Sequence, residues 1–187
     1  MLMLVLGIVG PSCTCGNGDA VPEKRVKRVK PTTVPLVDKE LWTPVEAVVD
    51  PLAAHRPADV NCPRGGWVIE RQGFEIRTVY CNYGMFSQPS LAPVARGDQI
   101  VAMLYHFDLQ NPEPATAHLA LILGQRVVWE KNIEIPSKAN AYNIEVMADF
   151  AAPAGTPVYL HLHNHGRNEW MLASMGVVTN APSQGAP

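Results

Sequence analysis

The histidines are the residues of this chain that most readily suggest chemistry, and five of the six lie within residues 106–165. His161 and His163 are separated by one residue, so they share a face if residues 158–164 form a strand. Two neighbouring imidazoles suit a Zn or Cu ion, which needs a further ligand. Candidates for that ligand elsewhere in the chain are His106, His118 and Asp108. One prediction is therefore a metal site formed by His161, His163 and His106.

The same histidines could instead line a ligand-binding face together with tryptophans. A two-residue hairpin loop at Gly124-Gln125 would place Ala120 opposite Trp129, and so put His118 and Trp129 on one side of the sheet. Sugars stack on indole rings and bond to imidazole and amide groups, as at a typical ligand site. If residues 165–168 form a four-residue loop, His163 also lies opposite Trp170. The predicted ligand-binding set is Trp129, His118, His163, Trp170 and Asn168.

A third interpretation is structural, with the histidines and tryptophans as bonded core or interface groups. Catalysis is not expected, because no Ser-His-Asp order or paired acid motif stands out. Glu169 is the loop carboxylate nearest the histidines. We predict a non-catalytic protein without a cofactor, Zn or Cu being the alternative. A net charge of −2 does not suggest a nucleic-acid partner.

The elements that must position these residues are strands. Seventeen prolines in 187 residues favour turns over helices. Short β-branched or aromatic stretches are separated by turn residues, and Gly124-Gln125 is typical of a type II′ hairpin. The pattern predicts an all-β fold, a single antiparallel β-sandwich of jelly-roll type. The predicted strands are 66–70, 75–83, 99–109, 116–123, 126–130, 143–147, and a last hairpin pair, 158–164 with 170–177.

The end of the chain adds a resemblance. Residues 149–178, DFAAPAGTPVYLHLHNHGRNEWMLASMGVV, are similar to the last strands of carbohydrate-binding jelly-roll modules, also called galactose-binding-like domains. Such modules often close with a strand, a loop holding Gly or Asn, and a strand of alternating apolar residues. The resemblance implies a β-sandwich and a glycan as a possible partner.

The first residues predict export. Met1–Gly10 is an apolar run of signal-peptide length, too short to cross a bilayer. Gly10-Pro11-Ser12-Cys13 resembles a bacterial lipobox, which implies lipidation at Cys13 and a membrane partner at the bacterial cell envelope. Ordinary secretion and a buried N-terminal strand are the alternatives. In an exported domain Cys62 and Cys81 are the natural disulfide pair, whereas a reducing compartment would leave them as free thiols.

These observations predict a domain order. Residues 1–12 are a signal peptide, 13–59 a basic and Pro-rich linker, 60–178 the β-sandwich and 179–187 a flexible tail. Within the linker, Trp42 is costly to expose, so the stretch around it could dock on the domain. The predicted function is that of a non-catalytic cell-envelope lipoprotein with a ligand-binding sandwich, for which the resemblance implies a carbohydrate ligand. The alternatives are a module that contacts an envelope protein and a His-based Zn or Cu protein.

Overall fold

The computed structural model describes residues 31–179, and their regular secondary structure is almost entirely β-strand. Two 3₁₀ turns, Ala47–Val49 and Ala53–His55, lie between the second and third strands. Among residues 31–179 no helix has the length and apolar character to cross a membrane. The strands are β1 Thr32–Pro35, β2 Thr43–Pro44, β3 Trp67–Glu70, β4 Gly73–Arg77, β5 Tyr83–Pro89, β6 Gln99–His106, β7 Ala115–Leu123, β8 Arg126–Ile135, β9 Asn140–Met147, β10 Pro157–His163 and β11 Glu169–Thr179.

The strands form two antiparallel sheets. The first sheet has the order β3-β4-β11-β6-β9, and β1 also pairs with β11. The second sheet has the order β2-β5-β10-β7-β8. This arrangement confirms the predicted all-β antiparallel sandwich.

The core lies between the sheets and follows the alternation of side chains along each strand. On β10, Leu160 and Leu162 face the core, and on β7 Leu119 and Leu121 do the same. The intervening residues of these strands point to the outer face of the second sheet. Alternation therefore decides which histidines are in the core and which lie on this outer face.

The fold begins earlier than the predicted boundary at residue 60. Strand β1 pairs with the end of β11, and β2 pairs with β5. Leu36 is fully buried and Trp42 is only 6% exposed, so both belong to the core. Residues 32–44 are therefore part of the sandwich and not of a linker. The predicted signal peptide, Cys13 and the last eight residues lie outside the described residues.

The predicted last hairpin is wrong, because β10 and β11 belong to different sheets. Strand β10 pairs with β5 and β7, whereas β11 pairs with β4 and β6. Residues 164–168 cross from one sheet to the other. The side chains of Asn164 and Asn168 hold this crossing, since their amides bond to each other and to His165 O.

The predicted strand 75–83 is two strands. Strand β4 ends at Arg77 and β5 begins at Tyr83. Between them lies Cys81, which forms the predicted disulfide with Cys62. The bridge ties the segment before β3 to the turn after β4.

The Gly124-Gln125 hairpin is confirmed, with Gly124 at φ 61°. A bulge follows it, because Ile122 pairs with Val127 while Leu121 pairs with Trp129. The extra residue turns Trp129 to the inner side of the sheet, with Leu121. The prediction that Trp129 and His118 share a side is therefore wrong.

Candidate functional site

Five of the six histidines line up on the outer face of the second sheet. Their ring centroids are 4.1 Å apart for His55 and His118, 5.1 Å for His118 and His161, and 5.1 Å for His163 and His165. The ring of Tyr83 joins the two halves, 5.0 Å from His161 and 5.8 Å from His163. We call this row the histidine array: His55, His118, Tyr83, His161, His163 and His165.

His161 is the centre of the array and is fully buried. Among residues 31–179 neither of its ring nitrogens has a hydrogen-bond partner. Burial, followed by the nearby His118, His55 and His163, lowers the pKa of His161 to about 3. His161 is therefore neutral near pH 7. Burial also lowers the pKa of His118 and of His163.

Residues 46–60, called the strap, cover this face. The Asp50 carboxylate accepts a hydrogen bond of 2.6 Å from the Tyr83 hydroxyl and pairs with Arg56 at 3.3 Å. Burial and the bond to Asp50 raise the pKa of Tyr83, so its hydroxyl stays protonated. His55, at the end of the strap's second turn, lies flat on His118 with an angle of 4° between the rings.

The predicted metal site does not form. His106 is on β6 of the first sheet and faces the core, whereas His161 and His163 lie on the outer face of the second sheet. Within residues 31–179 no three His, Cys, Asp or Glu side chains are arranged to hold a metal ion. His106 contacts Trp170 at 4.6 Å and bonds to Phe107 O and the Tyr142 hydroxyl.

The predicted ligand-binding residues are divided among three places. His118 and His163 face each other across β7 and β10, in the histidine array. Trp170 is buried in the core, where its indole donates to Asn164 Oδ1 at 3.2 Å. Trp129 is half-buried at the edge of the core, 5.7 Å from the ring of Tyr142. The predicted groove with a tryptophan floor is therefore absent from this part of the chain.

A second site lies on the outer face of the first sheet, where β4, β6 and β11 end or begin. We call it the aromatic–charged cleft, and its volume is about 260 Å³. Its aromatic member is Phe107, which is 58% exposed and meets Tyr105 edge-on at 6.1 Å. The cleft is lined by Arg77, Val79, Phe107, Asp108, Arg167, Asn168 and Glu169.

Ion pairs fix part of this cleft. Arg77 Nε donates to Glu75 Oε1 at 2.6 Å, and its Nη2 is 3.2 Å from Glu70 Oε1. The bond to Glu75 is the main cause that raises the pKa of Arg77. Asp108 accepts from Lys138 Nζ and from Ala139 N, both at 2.9 Å, and these bonds lower its pKa.

Other cleft residues differ in how firmly they are held. Arg167 and Glu169 are both exposed at the cleft. Asn168, which the sequence predicted as a ligand contact, is buried, and its Oδ1 accepts from Gln110 N at 2.7 Å. Its amide therefore supports the loop behind the cleft.

Sequence reasoning missed His55, Tyr83 and Phe107. His55 lies in the segment that the sequence predicts to be a linker, and Tyr83 ends the stretch 75–83 that the sequence predicts to be one strand, so neither residue stands out. Phe107 had a visible signal. It continues the outward-facing series of β6 after Met103 and Tyr105, and ends as an exposed aromatic ring.

Solved structures offer only a distant likeness. An arabinose-bound MgGH51 α-L-arabinofuranosidase matches with a TM-score of 0.42 and 11% identity, over 81% of this chain and 25% of that enzyme's length. A CBM4 structure matches with a TM-score of 0.38 and 10% identity, over 65% and 80%. TmCBM61 in complex with β-1,4-galactotriose has a TM-score of 0.35 and 10% identity, over 79% and 86%. No protein-family model matches, and no curated protein does. Likenesses of this degree do not indicate what this chain binds.

Proposed function

We propose that this chain is a non-catalytic carbohydrate-binding module that takes its ligand in the aromatic–charged cleft. The observation that supports this proposal is the exposed ring of Phe107 beside charged side chains of both signs. A sugar ring has an apolar C–H face that stacks on an aromatic side chain, and hydroxyls that bond to charged groups. The cleft offers both kinds of contact within one small volume.

The charged groups suit hydroxyls because they provide donors and acceptors together. Arg77 and Arg167 supply guanidinium donors, and Glu169 supplies carboxylate acceptors. The ion pairs of Arg77 hold its guanidinium in place before a ligand arrives. At about 260 Å³ the cleft is below the roughly 300–1,000 Å³ of drug-sized pockets, which favours the end of a glycan chain.

Glycan-array screening followed by calorimetry with the best glycan tests the proposal. Phe107→Ala should weaken binding at least about fivefold, since an aromatic contact is worth roughly 1 kcal/mol beyond its buried area. Arg167→Ala should weaken binding as well, through the loss of donors.

Met147→Ala is the matched control, because Met147 is 62% exposed and pairs with Gln99 at the opposite end of β6. It should bind like the wild type. The proposal fails if no glycan binds, or if Phe107→Ala and the wild type bind equally well while both are folded.

The location of the module is a second part of the proposal. Lipidation at Cys13, supported by the Gly10-Pro11-Ser12-Cys13 sequence, would hold the module at a cell-envelope membrane. Metabolic palmitate labelling should mark the wild type and not Cys13→Ser. Equal labelling of the two proteins would contradict the anchor without affecting the glycan proposal.

A further inference from the structure

The strap is fixed at both of its ends. Just before it, Val45 N donates to Met85 O of β5 at 2.8 Å. Just after it, the Cys62–Cys81 disulfide joins the chain to the turn between β4 and β5. The segment between these points can therefore move away from the sheet and return without losing its place.

Between its ends the strap is held largely by polar contacts, which include the bond from the Asn82 amide to Asp59 O at 2.7 Å as well as the contacts of ionisable groups. Neither of its two 3₁₀ turns buries a residue, and Val48 is 85% exposed. Its contacts with the sheet include the stacking of His55 on His118 and the hydrogen bond from Tyr83 to Asp50. A change in the charge of the histidines therefore acts on the contacts that keep the strap in place.

We infer that the strap is an acid-released cover, which lies on the outer face of the second sheet at neutral pH and lifts from it when His118 and His161, which lie beside His55, become charged. The array places His55 of the strap against histidines of β7 and β10 at 4.1–6.0 Å between ring centroids. Positive charges at these distances repel one another, and the repulsion is relieved when the strap moves away.

The charged groups around the array do not cancel this repulsion. From the strap, Asp50 already bonds to Tyr83 and pairs with Arg56. From β8, Glu130 Oε2 is 3.6 Å from His118 Nε2, so it can balance one proton there. A second proton on His161 has no carboxylate bonded to it and lies beside His118 and His55.

The direction of the pH effect follows from proton linkage. The pKa values of His118, His161 and His163 are lower in the folded protein than the ordinary value near 6.5. Protons therefore bind more tightly to the opened form, in which these rings meet water. The free energy that favours the closed form over the opened form is therefore greatest above about pH 6.5, and it decreases as the pH falls towards the pKa of His161.

Hydrogen exchange of the full chain, followed by mass spectrometry at pH 7.5, 6.5 and 5.5, tests this inference. After correction for intrinsic exchange, protection of residues 46–60 should change little between pH 7.5 and 6.5, and below pH 6.5 it should fall by up to about tenfold per pH unit for each proton taken up on opening. Strands β7 and β10 should stay protected, and protection of the strap should return at pH 7.5.

Two variants test the origin of the effect. The double variant His55→Phe, His118→Phe keeps two stacked rings but removes the proton that His118 takes up on opening, so its strap protection should fall less steeply with pH than that of the wild type. His165→Gln is the control, because His165 is exposed and contacts His163 at the far end of the array. It should respond to pH as the wild type does.

The inference is overturned if strap protection is constant with pH, if the strap and the core strands lose protection together, or if the double variant keeps the wild-type response. A measurement on the unmodified protein is independent of how the variants fold. Imidazole NMR should show His161 neutral at pH 7.5 and gaining its proton only over the pH range in which the strap loses protection, and titration of His161 near 6.5 while the strap stays protected would contradict the closed, uncharged array.

Discussion

Removal of the Cys62–Cys81 disulfide should lower the free energy of unfolding by about 3 kcal/mol. The two cysteines are 19 residues apart, and the loop they close contains β3 and β4 at the edge of the first sheet. Cross-linking such a loop reduces the entropy of the unfolded chain by about 11 cal/mol/K, which gives about 3 kcal/mol at 25 °C.

Urea unfolding of the double variant Cys62→Ala, Cys81→Ala measures this loss. Alanine suits both positions, because Cys81 is buried and Cys62 packs against the core. With a urea dependence of about 2 kcal/mol/M, the midpoint should fall by about 1.5 M. A reducing agent should lower the wild-type midpoint by a similar amount and leave the double variant unchanged.

A loss below about 1 kcal/mol would refute this reasoning, since the loop entropy would then not be the main contribution of the bridge. An equal effect of the reducing agent on the wild type and the double variant would also refute it. Thiol alkylation of the native protein offers a direct check, because a formed bridge leaves neither Cys62 nor Cys81 reactive.

Two further substitutions test the crossing between the sheets by urea unfolding. Gly166→Ala should destabilise the fold by roughly 3 kcal/mol or more, because φ is 83° and the new Cβ would collide with Gln110 O. Gly155→Ala is the matched control, because φ is 87° there but the new Cβ would enter open space, and it should cost about 1–2 kcal/mol. Equal effects would show that the close backbone approach is unimportant. Trp170→Phe should cost about 2 kcal/mol, through the lost bond to Asn164 and a smaller ring in the core, and Trp67→Phe should cost less because Trp67 is only partly buried. A larger loss for Trp67→Phe would contradict this ranking.

Much of the fold follows from local sequence pattern. Alternation along residues 99–109 and 116–123 predicts strands that correspond to β6 and β7 of the structure. Gly124 correctly indicates the hairpin that joins β7 to β8. Pairing between distant strands does not follow from such patterns. Residues 158–164 and 170–177 looked like a hairpin because their loop is short, yet the loop crosses between sheets.

The site was less predictable, because it depends on register and on residues far apart in sequence. A single extra residue at the bulge before Trp129 moves that ring to the other side of the sheet. The sequence correctly predicts that His118 and His163 lie on strands, which are β7 and β10. His55 contacts His118 from a segment whose prolines predict a linker. Proline content indicates extended backbone, and an extended segment can pair with the edge of a sheet as readily as it can form an unpaired linker.

The pairing of β1 with the last residues of β11 places both ends of the described chain opposite the aromatic–charged cleft. Thr32 lies beside Thr179, so the described chain enters and leaves at one pole, whereas Glu169 at the other end of β11 lines the aromatic–charged cleft. Ten steps of a strand separate the two poles by about 33 Å. A protein tethered through residues before 31 would therefore hold its cleft outward, at the pole farthest from the tether. A partner fused directly before residue 31 or directly after residue 179 would crowd the tethered pole and leave the cleft open.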